Sequence, residues 1–193
     1  MILLTICRRA LTLAALTIGV VFTATTLMTA QAPKPASPAP PKAGTTVAGP
    51  ALELMLPAPA DWQKIRSGNN HIELEPGCDY SFAEGVFMNE AMKVRITVAD
   101  TGFHPESLGI FASMVVTFPD GYAGKIPPST TITRMSFKES PAAARWDAAL
   151  GEGEFVVLIG GRFVAKAEGT VDSIETLKTM VGQIDLKKLS ELK

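Results

Sequence analysis

Nineteen consecutive residues, Ala10–Met28, carry no charge and are largely apolar, and the pair Arg8-Arg9 stands directly before them. A basic end, an apolar stretch and then small residues is the order that export machinery reads at an N-terminus. It takes this part of the chain out of any folded core. Ala30-Gln31-Ala32 supplies the small–x–small spacing of a signal-peptidase site, while Pro33 directly after it disfavours cleavage. A run of this length also approaches the roughly 20 residues that a helix needs to cross a bilayer. Residues 1–32 are therefore expected to serve as a signal peptide or an uncleaved signal-anchor, basic end inside. Either way the remainder is placed in the periplasm or cell envelope, with the membrane as a partner if the segment is retained. The residues around the twin arginines do not complete a twin-arginine signal, and no cysteine follows the apolar run to carry a lipid.

Residues 33–50, PKPASPAPPKAGTTVAGP, hold six prolines and no large aliphatic or aromatic residue except Val47. Proline fixes φ and favours the extended polyproline II form, so this stretch reads as a semi-rigid spacer. A PxxP-type recognition peptide is the alternative reading. The first 50 residues carry Arg8, Arg9, Lys34 and Lys42 and no acidic residue, which leaves 14 basic against 19 acidic residues beyond them. Residues 51–193 thus have a formal charge of −5. Nucleic-acid surfaces need clustered Lys and Arg, so this balance argues against that class of partner. The 143 residues suit one domain able to bury its own core. Cys78 is the domain's lone cysteine, so no internal disulfide supports it; a small buried hydrophobe is its plain reading.

The domain reads as α+β, a mainly antiparallel sheet packed with two main helices. Leu52, Leu54 and Leu56 alternate with Glu53 and Met55 as in an entering strand, and Pro57–Trp62 reads as a turn with an anchoring tryptophan. His71–Glu75 alternates strictly before Pro76-Gly77, as in a short strand or an extended edge segment. Tyr80–Phe87 and Met92–Val98 form a hairpin, with Met92, Val94, Ile96 and Val98 on a buried face and Lys93, Arg95 and Thr97 on a wet one. A helix opens at Phe103-His104-Pro105 and carries Leu108, Phe111, Ala112 and Val115 inward; Pro119-Asp120-Gly121 ends it. Four strands follow, over 131–137, 142–148, 154–159 and 162–168, with Gly160-Gly161 as a two-residue hairpin turn. Asp172 and Glu175 form a capping box for a helix with Ile174, Leu177, Val181 and Ile184 as its stripe. Asp185 caps a last short helix bearing Leu186, Leu189 and Leu192.

The stretches YSFAEGVF…MKVRITVADTG and FVVLIGGRFVAKAEG…LKTMVGQIDLKKL resemble a family of uncharacterised exported bacterial proteins. That family has a Tyr-rich strand followed by a second strand, then a diglycine-Arg-Phe hairpin and a terminal Asp-Leu-Lys-Lys-Leu segment. No activity is attached to it, so the resemblance implies a compartment and a domain plan. The order of elements is also similar to PsbP-like αβα sandwiches, which are mostly adaptor or assembly domains; fold alone does not transfer function.

Candidate chemistry is sparse. His71, Glu73 and Glu75 alternate on one strand with Cys78 just beyond, and imidazole, carboxylate and thiolate all ligate metals, yet their spacing fits no established zinc signature. The polar face of a strand looks the same. Cys78 with His71 or His104 is the one nucleophile–base combination available, and His104 otherwise suits a capping or solvent position. No serine sits in a Gly-x-Ser-x-Gly elbow and neither Gly151-x-Gly153 nor Gly160-Gly161 has the form of a phosphate loop. Glu152 with Glu154 reads as an exposed turn. Lys93, Arg95, Arg162 and Lys166, with Glu168 among them, fall on the wet side of the strands and form a candidate face for an anionic partner, although a solvated sheet face explains them too. The leading expectation is a non-enzymatic, envelope-associated binding or adaptor domain, with envelope proteins as partners and no cofactor. The alternatives are a small-ligand carrier lined by Met55, Met92, Met114 and Met180, and an enzyme using Cys78 or His71.

Overall fold

The computed structural model describes residues 44–73, 79–116 and 127–192. Within them no helix is long and apolar enough to cross a membrane. The expected signal or anchor segment, Glu75, Cys78 and the helix stop at Pro119-Asp120-Gly121 all lie outside the described residues.

The described chain is α+β. One seven-stranded antiparallel sheet runs in the order β1-β2-β3-β7-β6-β5-β4, from β1 (Gln63–Glu73), β2 (Asp79–Asn89), β3 (Met92–Asp100), β4 (Thr130–Phe137), β5 (Ser140–Asp147), β6 (Glu152–Ile159) and β7 (Phe163–Thr170). Two meanders, β1–β3 and β4–β7, are joined where β3 pairs with β7, and α2 (Pro105–Val116) lies between them in the chain. Side chains alternate across a strand, so each strand serves both faces. Val94, Ile96 and Val98 of β3 point to one side with Phe87, Phe155, Val157, Ala165 and Ala167, where α1 (Gly49–Glu53), α3 (Ile174–Gly182) and α4 (Leu186–Ser190) cover them. Ala99, Ala143, Val156, Leu158 and Val164 point to the other, where α2 packs. Of the helical stripes anticipated from spacing, Leu177, Val181, Ile184, Leu186 and Leu189 are buried under the first face, with Ile174 and Leu192 partly buried beside them. Against the second, Ala112 is buried and Leu108, Phe111 and Val115 only partly so, Met114 taking the other buried place. α2 is bent, its backbone leaving helical geometry at Ala112.

Four local expectations are corrected. Leu52, Leu54 and Leu56 are not a strand: Pro50 stands in the first turn of a short helix, Leu52 is fully buried and Leu54 is 84% exposed. Helical spacing takes Leu52 inward together with Met55 and Leu56, whereas a strand would put all three leucines on one side. β1 begins at Gln63, eight residues before the alternation that signalled it, because nearly every residue of it is exposed and no apolar period marks it. The diglycine loop holds three residues, Gly160, Gly161 and Arg162, both glycines taking positive φ, so Arg162 precedes β7 instead of lying in it. Ser173, not Asp172, stands at the N-cap position of α3 and makes no side-chain capping bond, while the Asp172 carboxylate accepts from the Thr176 hydroxyl at 2.5 Å. Asp185 does cap α4, accepting from the Lys188 N–H at 2.9 Å. The fold also starts inside the stretch assigned to the spacer, since Val47 and Gly49 are buried.

Three carboxylates are held below their ordinary range by local hydrogen bonds: Asp147 chiefly by the Thr130 hydroxyl, Asp172 chiefly by Thr176 and Glu53 chiefly by Ser67. A group whose folded value is depressed contributes stability above its unfolded value and loses it as pH falls through the folded one. The urea midpoint is therefore expected to decline below about pH 4, and to decline less in Asp147→Asn.

Candidate functional site

The best-organised polar cluster lies where the described chain enters the domain. Asp100, at the end of β3, is fully buried, and Arg162 is brought to it by the β6–β7 turn. Nε and Nη2 of Arg162 both donate to the Asp100 carboxylate at 2.7 Å, a two-pronged pair. The same carboxylate accepts from the backbone N–H of Val47 at 2.7 Å and of Gly102 at 2.9 Å. Nη2 of Arg162 also donates to the Thr45 carbonyl at 3.1 Å, and the Ser81 hydroxyl donates to the Val47 carbonyl at 2.5 Å. The guanidinium lies 5.4 Å from the Phe103 ring and 4.9 Å from that of Phe163. Its pKa is raised, first by its hydrogen bonds to Asp100 and against the opposing effect of burial. Backbone groups at 44, 45 and 47 are thus held by groups of the domain, Gly44 donating to the Gly102 carbonyl at 3.3 Å. The arrangement is a clamp on the end of the spacer.

The second feature is the part of the sheet beside α2. Cross-strand register sets Arg66, Val86, Arg95, Glu168, Glu154, Arg145 and Ile132 in one row across all seven strands. Glu154 and Glu168 are direct neighbours, a like-charge pair. Lys166 lies between them, its Nζ 3.1 Å from Glu168 and 3.9 Å from Glu154, while Arg145 reaches Glu154 at 3.6 Å and Arg95 reaches Glu168 at 3.4 Å. Removing the central cation as Lys166→Met leaves two carboxylates facing each other. A loss of about 1 kcal/mol in urea unfolding at neutral pH is expected, with the deficit shrinking as acid protonates carboxylates.

Of the four residues proposed for a binding face, Lys93, Arg95 and Lys166 share this side and Arg162 does not, being committed to Asp100. Arg66 joins them from β1, a residue no apolar pattern could place. His71 and Glu73 share the opposite side of β1, where His71 lies 3.7 Å from Asp79 and 3.3 Å from the Thr46 hydroxyl. Among the described residues no three His, Cys, Asp or Glu side chains are grouped to hold a metal. His104, expected at a capping or solvent position, is buried, and its Nε2 has no hydrogen-bond partner among the described residues. Met55, Met92 and Met180 belong to the core under α1 and α3, and Met114 to the core under α2, so the four line no common pocket.

The chain matches no protein-family model, and comparisons with curated proteins and with solved structures give no match either.

Proposed function

We propose that this is an exported, envelope-tethered, non-enzymatic domain that binds a protein partner with the open side of its sheet. The observation that carries the reading is the clamp. Asp100, Arg162 and Ser81 hold the end of the proline-rich spacer by its backbone, so the attachment point of a tether is built into the domain. A domain held in this way suits presentation of a surface. The charged row beside α2 offers one whose fixed order of charges gives specificity more than raw affinity. A carrier would draw on Met55, Met92 and Met180 on one side of the sheet and Met114 on the other, and an enzyme on His71, half exposed and 3.7 Å from Asp79, or on Cys78, outside the described residues.

The test is a photocrosslinking residue placed at position 70, exposed on the open side, or at position 54, on the α1 side, in the full chain expressed in its own host. A discrete protein adduct from position 70 and none from position 54 is expected. No adduct from either, or the same adducts from both, would refute the reading.

A further inference from the structure

The two halves of the open sheet side differ in charge balance. Toward β5 and β6, Arg145 and Lys166 are matched by Glu154 and Glu168 at 3.1–3.9 Å. Toward β1 the match fails. Arg66 and Lys93 are exposed and in no ion pair among the described residues, and the carboxylate that Arg95 reaches, Glu168, is shared with Lys166. Glu84 is a further carboxylate there, and it accepts from the Thr97 hydroxyl at 3.5 Å. This surplus of positive charge sits on a domain whose formal charge is −5. It is a local inversion of sign.

The inversion coincides with a concavity. Two adjoining depressions of about 240 and 360 Å³ share Arg66 and Val86; the first reaches Lys93 and Arg95, the second Phe82. From Phe82 to Val86 the trough follows β2 for about 13 Å, the span of four extended residues. Its floor is apolar at Phe82 and Val86 with Glu84 between them, and its cations gather at one end, where Glu168 also lines it.

We infer that the trough takes an extended, acidic segment of a partner protein, its carboxylates on Arg66, Lys93 and Arg95 and its apolar side chains over Val86 and Phe82. This rests on the binding role proposed above and names the partner's chemistry. An anionic bilayer is the less fitting source of negative charge. Membrane attraction sums over the protein's whole field, which here is repulsive, whereas carboxylates seated in a trough are recognised at contact by charge-assisted hydrogen bonds.

The experiment uses the full chain in phosphatidylcholine bicelles and a fluorescein-labelled peptide of alternating Glu and Val, read by anisotropy. Binding that weakens by at least about tenfold in Arg66→Gln/Lys93→Gln/Arg95→Gln is expected, with Lys187→Gln on α4 unchanged. A peptide that fails to bind, or binds the triple variant equally, overturns the inference. So does capture that appears only when the bicelles are doped with phosphatidylglycerol. If the peptide fails while the position-70 crosslink persists, the acidic partner is wrong and the binding role stands; loss of the crosslink as well removes both.

Discussion

Arg162→Met is expected to destabilise the fold by about 3–5 kcal/mol, because it leaves a fully buried carboxylate without its cation. Asp100 would keep the N–H groups of Val47 and Gly102 but lose both prongs of the guanidinium. The Thr45 carbonyl loses its donor in the same step. Asp100→Leu costs a similar amount from the other side, since Arg162, whose side chain is 14% exposed, is then stranded between two aromatic rings with two backbone N–H groups unanswered. The double variant Asp100→Leu/Arg162→Met should be less destabilised than the two losses added together, because no buried charge remains. Arg162→Lys keeps the charge but not the fork, and falls between wild type and Arg162→Met. Urea unfolding of the four proteins closes the cycle. Strictly additive losses would mean that the pair is no clamp.

Phe155→Ala carries the other large effect, about 3–5 kcal/mol. Phe155 is fully buried on β6, near the middle of the sheet, and its ring meets Phe137 edge to face at 5.1 Å. Truncation opens a cavity under α3 that a paired β-strand cannot move to fill. Phe137→Ala should cost less, because Phe137 sits on the edge strand β4 and is only partly buried. The urea slope should stay unchanged in both if the transition remains cooperative.

The strands with an apolar period were legible from the sequence, and so were the stripes of α3 and α4, because burial there is written in spacing; the kink at Ala112 leaves that of α2 only partly buried. The clamp was not. Arg162, Val164, Lys166 and Glu168 have the same parity, which assigns Arg162 to the open side with Lys166; the strand begins one residue later, at Phe163, and the turn directs Arg162 to Asp100 instead. Asp100 itself closes a run of buried residues, and nothing in its neighbours marks it as the acceptor of four hydrogen bonds. The Glu154–Glu168 juxtaposition depends on the register of β6 against β7, which follows from the length of the turn and not from composition. Arg66 was invisible because an exposed edge strand has no hydrophobic alternation to betray it.

The clamp and the open sheet side gain meaning only if the domain works outside the cytoplasmic membrane, which labelling addresses directly. Leu54, 84% exposed and away from both features, is replaced by cysteine in the full chain, and a membrane-impermeant maleimide is added to spheroplasts of the producing cells. Labelling above that of the unsubstituted chain before lysis, with no further rise after it, is the expected result. Labelling that appears only once the cytoplasmic membrane is broken would contradict the account.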